Sequence, residues 1–122
     1  MPDIVQKKLY DSVKVFWLNR ELLFKKLEAI VEELSQDFEQ IRKIILFGSQ
    51  ARGDSTPFSD VDILLIVDET DKSFSDRTSF FQEYFFELGL DTDIFVYTEK
   101  EFEKSSFKKN IKNQGYRVLF ER

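Results

Sequence analysis

Two short stretches hold the residue types best able to do chemistry. The first is Leu46-Phe47-Gly48-Ser49-Gln50-Ala51-Arg52-Gly53-Asp54, and the second is Ser59-Asp60-Val61-Asp62-Ile63-Leu64. A hydrophobic run ends at Gly48-Ser49, ten residues intervene, and Asp60-x-Asp62 opens another hydrophobic run. Gly48 lets a ligand approach the backbone closely. Backbone N–H groups and the Ser49 hydroxyl at a helix start suit an anion such as phosphate. Residues i and i+2 of a strand face the same way, so Asp60 and Asp62 form a carboxylate pair. Such a pair repels itself unless a cation sits between its members. Mg2+ takes one or two carboxylates together with phosphate oxygens, so the combined parts suit a metal–nucleoside triphosphate. A third carboxylate is then expected on a neighbouring strand, to hold a second metal or to accept a proton from an attacking hydroxyl. Asp93 fits that place; Asp91 has the same parity and is its rival, closer to the turn after Gly89. Arg52 either touches phosphate or pairs with Asp54.

Composition narrows the field in the same direction. The chain has 122 residues, no Cys and no His. That excludes disulfides, zinc–thiolate sites, Cys nucleophiles and Ser-His-Asp arrangements. Any metal must sit on oxygen ligands, and acid–base work falls to carboxylates, Lys, Tyr or a metal-bound group. The length suits one domain, and 42% hydrophobic content supports a core. The net charge of −5 argues against a general nucleic-acid surface. Residues 1–99 carry 11 basic and 20 acidic side chains, residues 100–122 carry 7 and 3, so a basic tail follows an acidic body. That tail reads as a solvated face, or as a patch for phosphate or a partner. No apolar run reaches membrane-spanning length, and Asp3 and Lys7-Lys8 break any signal-peptide pattern, so a cytoplasmic protein is expected.

The elements that must position these residues follow from spacing. Residues 3–17 are ambiguous: Val13, Val15 and Trp17 alternate as in a strand, while Ile4, Lys8 and Asp11 fit a helical turn. Asn19 is a good N-cap with Glu21 behind it, and Leu22, Leu23, Leu27, Ile30, Val31 and Leu34 predict a helix over 20–36. Ile41–Phe47 and Val61–Val67 read as buried strands around a helical turn at 49–52 and a polar loop. Phe74, Arg77, Phe81, Phe85 and Leu88 predict one helix over 74–89, closed by Gly89. Adjacent Phe residues reach both of its sides, so one flank is a candidate interaction surface. Residues 92–97 form a third strand, and Thr98 with Glu101 opens a helix over 99–104. A further turn at about 105–113 and an extended segment at Arg117–Phe120 complete a mixed α/β (α+β) domain: a short mixed sheet flanked by helices.

With its motifs in this order the chain resembles the minimal nucleotidyltransferases of the DNA polymerase beta superfamily. Gly48-Ser49, Asp60-x-Asp62 and the later Asp93 carry the resemblance, which runs from about Asn19 to Glu121 and leaves 1–18 as an N-terminal extension to a 19–122 domain. The resemblance implies ATP or another NTP, Mg2+ as a pair of ions, and transfer of a nucleoside monophosphate to a hydroxyl with release of pyrophosphate. It places Gly48 and Ser49 on the triphosphate, Asp60 and Asp62 on the metals, and Asp93 on a metal or the acceptor hydroxyl. Larger relatives have a second domain, so a lone unit is expected to borrow its acceptor site from a partner. Small members are often paired with an all-helical HEPN protein as antitoxin to its toxin, which makes AMP transfer to that partner the expected role. Occlusion without turnover and modification of a small molecule such as an antibiotic are the alternatives. A homo- or hetero-oligomer is expected.

Overall fold

A computed structural model of the chain describes residues 4–10, 13–56, 59–68 and 74–122. Within them lie strands β1 (Val5–Tyr10) and β2 (Val13–Leu18), helix α1 (Arg20–Asp37), strand β3 (Ile41–Phe47), one-turn helix α2 (Ser49–Arg52) and strand β4 (Val61–Val67). Helix α3 (Phe74–Gln82) continues into a 3-10 turn (Glu83–Leu88). Strand β5 (Thr92–Thr98), helices α4 (Glu99–Lys104) and α5 (Phe107–Gln114) and strand β6 (Tyr116–Glu121) follow. The architecture is the mixed α/β one that the spacing predicts.

The main sheet has the order β5-β4-β3-β6. β4 runs antiparallel to β3 and parallel to β5, and β6 closes the other edge antiparallel to β3. Its two faces bury different sets of side chains. Ile44, Leu46, Ile63, Leu65, Ile94 and Val96 face α1 and α3 and build the larger core. Ile45, Phe47, Leu64 and Ile66 face α4 and α5, where Ile111, Phe102 and Phe107 cover them. Both faces being covered explains why Ile44–Phe47 and Ile63–Val67 are continuous apolar runs rather than alternating ones.

Local chemistry starts the helices. The Asn19 side-chain oxygen accepts from the Leu22 N–H at 3.1 Å, capping α1. At its far end Arg122 donates to the Ser35 and Phe38 carbonyls, so a basic residue of the tail closes this helix. Thr98 and Glu101 form a reciprocal capping box on α4: Glu101 N–H donates to Thr98 Oγ1, and Thr98 N–H donates to Glu101 Oε1. The same Oε1 accepts from Arg77 Nη1 at 2.7 Å, pairing the buried cation of α3.

The helix predicted over 74–89 tightens at Glu83. Phe85 and Leu88 are three apart and both buried. A 3-10 turn brings such residues onto one line, whereas an α-helix would carry the second off by a sixth of a turn. Gly89, with φ 72°, ends the segment. Within the stretch that is ambiguous by pattern, Val5–Tyr10 and Val13–Leu18 pair as a two-stranded antiparallel ribbon whose inner end is bedded in the core at Ile4 and Val5. No helix among the described residues is long and apolar enough to cross a membrane.

Glu101 thus serves as both a cap and the partner of a buried guanidinium. Glu101→Ala should lower unfolding free energy by about 2–3 kcal/mol, measured as a shift in urea midpoint. Glu101→Gln, which can still accept from the Thr98 N–H, should recover part of that loss. A loss from the alanine variant within error of zero would show the pair to be inert.

Candidate active site

The site residues gather at one end of the sheet, where β3 ends and β4 and β5 begin. Phe47 is in register with Asp62, and Asp62 with Asp93. In-register residues of neighbouring strands share a face, so Asp62 and Asp93 stand side by side. Asp60 lies just before β4 with the same parity and is exposed. Asp91 instead uses its carbonyl to accept from the Val61 N–H at 2.9 Å, fastening the starts of the two strands together. The structure therefore sets Asp93, rather than its rival, beside Asp62.

Gly48 is the floor beneath this pair. Its φ of 78° and ψ of −154° lie in a region open essentially to glycine alone. A Cβ there would also come within 2.6 Å of Asp62 Oδ2. The carboxylate thus rests directly on the Gly48 backbone, with Ser49 opening α2 alongside. The Gly48 N–H donates to the Gly115 carbonyl at 3.3 Å, and its own carbonyl accepts from Ala51 and Arg52.

Arg52 takes the pairing with Asp54, Nε to Oδ2 at 3.0 Å, and its Nη1 donates to the Gln114 carbonyl at 2.7 Å. Its stem packs so tightly on Gly115 that a Cβ there would meet Arg52 Cγ at 2.8 Å. Arg52 therefore ties α2 to the α5–β6 junction.

Gln50 was not singled out by pattern, yet it organises the loop that delivers Asp60. It is fully buried. Its Oε1 accepts from Ser55 Oγ at 2.9 Å, and its Nε2 donates to the Ser59 carbonyl at 3.4 Å. Arg20, the first residue of α1, donates to the Gln50 carbonyl at 2.9 Å. A polar residue inside a one-turn helix carries no periodic signal, so only its buried partners reveal the role.

An aromatic cluster props the same sheet face. The Phe47, Phe95 and Phe107 rings lie within 5.2–5.7 Å of one another, and Tyr97 stacks on Phe107. Phe95 follows Asp93 by two residues and so points the same way. Half-burial, then the neighbouring Asp93 and Asp60 charges and a hydrogen bond with Asp93, push Asp62 up to about 6. A divalent cation on hard oxygen ligands would relieve that repulsion, so the donor set fits Mg2+. Among the described residues no group of three His, Cys, Asp or Glu side chains is placed to hold a metal ion, so Asp60, Asp62 and Asp93 do not stand together as a three-carboxylate site. The formed part is the Asp62–Asp93 pair, with Asp60 at its exposed edge.

Comparison with known proteins agrees with this arrangement. Residues 27–118 match the model of the nucleotidyltransferase domain family. This chain belongs to that family. It is a nucleotidyltransferase, and the match takes in Gly48, Asp60, Asp62 and Asp93. It is 37% identical over 101 residues to MJ0604 of Methanocaldococcus jannaschii, provisionally named a protein adenylyltransferase, covering 79% of this chain and 96% of that one. A provisionally assigned nucleotidyltransferase from Sulfolobus solfataricus superposes with a TM-score of 0.64 at 26% identity, over 84% of each chain. A chain of a toxin–antitoxin assembly solved with AMP-PNP shares the fold, with a TM-score of 0.57 at 21% identity over 86% of this chain and 75% of that one.

Two outcomes follow for the nucleotidyltransferase site. Gly48→Ala should cost about 1–3 kcal/mol in stability through its positive φ alone, and should depress nucleotide transfer by displacing Asp62; calorimetry and an activity assay read the two effects. The second concerns pH. Asp62 holds its proton more tightly folded, at about 6, than at its ordinary 3.8. Its contribution to stability is therefore complete below the ordinary value and lost as pH rises through about 6. In metal-free solution Asp62→Asn should stabilise the protein at pH 8 by on the order of 1 kcal/mol after solvent screening, and by almost nothing near pH 3.5. Thermal melts in chelator check this, and equal melting of the two proteins at pH 8 would overturn it.

Proposed function

We propose that this chain transfers AMP from ATP to a hydroxyl of a partner protein, and that it is the antitoxin of a HEPN toxin in the cytoplasm. The observation that carries the reading is the Asp62–Asp93 pair lying in register across β4 and β5, on the Gly48 backbone at the start of α2. The provisional naming of MJ0604 as a protein adenylyltransferase supports AMP as the group moved and a protein as the acceptor. The shared fold with a chain of a toxin–antitoxin assembly solved with AMP-PNP supports the biological role.

In this reading Gly48 and Ser49 receive the triphosphate, and Arg52, paired with Asp54 and the Gln114 carbonyl, supports them by holding α2 in place. Asp60 and Asp62 hold Mg2+, with Asp93 as the ligand of a second ion. When bound, Mg2+ neutralises charge on the triphosphate and on the oxygens entering and leaving phosphorus. Asp93 alternatively accepts the proton of the acceptor hydroxyl as its oxygen bonds to the α-phosphorus and pyrophosphate departs. Phe47, Phe95 and Phe107 pack against one another on the same sheet face as the carboxylates.

Incubation with labelled ATP, Mg2+ and a purified HEPN-family protein as candidate partner tests the proposal. The wild type should label the partner, and Asp60→Asn with Asp62→Asn should lower the rate about a thousandfold, the size that several kcal/mol of lost charge stabilisation corresponds to. Equal labelling by both would defeat the catalytic reading. Neutralisation of the toxin by the double variant would point to occlusion instead. Labelling of an aminoglycoside in place of protein would point to a small-molecule enzyme.

A further inference from the structure

Two surfaces remain outside the nucleotidyltransferase site, and they complement one another. The first is the β1–β2 ribbon, which lies wholly before the family match at residue 27. An isolated two-stranded ribbon is marginally stable in water unless something packs on it. Its inner end has the core, but its outer end carries Leu9, 64% exposed. Register puts Lys14 opposite Leu9, and Lys7 two residues before it, so one ribbon face presents an apolar side chain between two exposed cations.

The second surface is the 3-10 turn and the adjoining part of α1. Phe86 is 69% exposed there. Glu83 precedes it by three residues, and residues three apart eclipse in a 3-10 helix, so Glu83 and Phe86 share a line. Glu83, Glu87, Tyr84 and Glu33 surround a recess of about 310 Å3. The nearby Lys26 donates to the Glu87 carbonyl, and the three carboxylates of Glu33, Glu83 and Glu87 outnumber that one cation, so the patch keeps an excess of negative charge.

We propose that a second copy of this chain fills both needs: the ribbon of each protomer lies on the Glu83–Phe86 patch of the other. Leu9 and Phe86 are both exposed within one copy, so they do not cover each other there. Lysines flanking Leu9 meet glutamates flanking Phe86, a match of sign as well as of apolar character. A two-fold axis makes the exchange closed, each copy giving one ribbon and receiving one. Carrying this contact on the ribbon and the 3-10 turn leaves Asp60, Asp62 and Asp93 outside it.

The test is sedimentation equilibrium of the full chain at low ionic strength. The wild type should dimerise, and added salt should weaken it. Lys7→Glu with Lys14→Glu, or Glu83→Lys with Glu87→Lys, should each raise the dimer dissociation constant roughly a hundredfold, because like charges then face one another. Mixing the two variants should restore a dimer, since each ribbon then meets a patch of opposite sign. Phe86→Ser, which changes no charge, should also weaken the wild-type dimer, with circular dichroism confirming that every variant is folded. A monomeric wild type, undiminished association of either reversed variant, or failure of the mixture to pair would each overturn the proposal. So would a ribbon that binds only a different protein.

Discussion

The site depends on keeping two carboxylates together on the backbone of one glycine. Asp62 and Asp93 are brought into register by parallel pairing of β4 with β5, and Asp62 is held over Gly48 by antiparallel pairing of β4 with β3. Neither contact is favourable by itself, since like charges repel and partial burial penalises the ionised Asp62. The apolar runs on either side make the arrangement possible. Side chains from Ile63 to Val67 are buried on both faces of the sheet, so register is strongly specified. A slip of one residue would turn Asp62 to the opposite face and bury it against α1. Hydrophobic packing thus maintains an electrostatic conflict that nucleotide and metal are suited to resolve.

Holding Gly48 in place draws in parts of the chain remote in sequence. Gly115 accepts its N–H, Arg52 bridges to the carbonyl of Gln114, and Arg20 fixes the carbonyl of Gln50. The first turn of α1 and the turn before β6 therefore meet at a helix of only four residues. Such a short helix cannot support itself, because helix formation is unfavourable below about a dozen residues without tertiary contacts. The basic tail finds its purpose partly in this way. Arg122 closes α1, Arg117 lies 4.6 Å over the Phe24 ring, and Lys108 pairs with Glu103, so several of its charges complete the fold.

Much of this was legible from local pattern, and the misses share a cause. Asn19, Thr98 and Glu101 announce their helices because capping is a contact between near neighbours. The strands are legible because apolar runs bounded by glycine and polar loops have few alternatives. Gln50 was missed because its partners, Ser55, Ser59 and Arg20, come together only through the folded loop. Tightening of the helix at Glu83 depends on the common burial of Phe85 and Leu88, a property of the core and not of propensity. The choice between Asp91 and Asp93 turned on strand register, which two residues of equal parity cannot reveal.

By itself the sequence determined the type of chemistry. Absence of His and Cys left oxygen ligands, and Gly48-Ser49 followed by Asp60-x-Asp62 supplied them at a spacing that one turn and one loop can span. It also determined most elements, since periodicity and caps act over three or four residues. Only the tertiary structure decided which carboxylate stands beside Asp62, that Arg52 ties α2 to the turn before β6, and that Val5–Tyr10 and Val13–Leu18 pair as a ribbon. Each of those outcomes rests on contacts between residues far apart in the chain, whose energies depend on a common core and are absent from any local window.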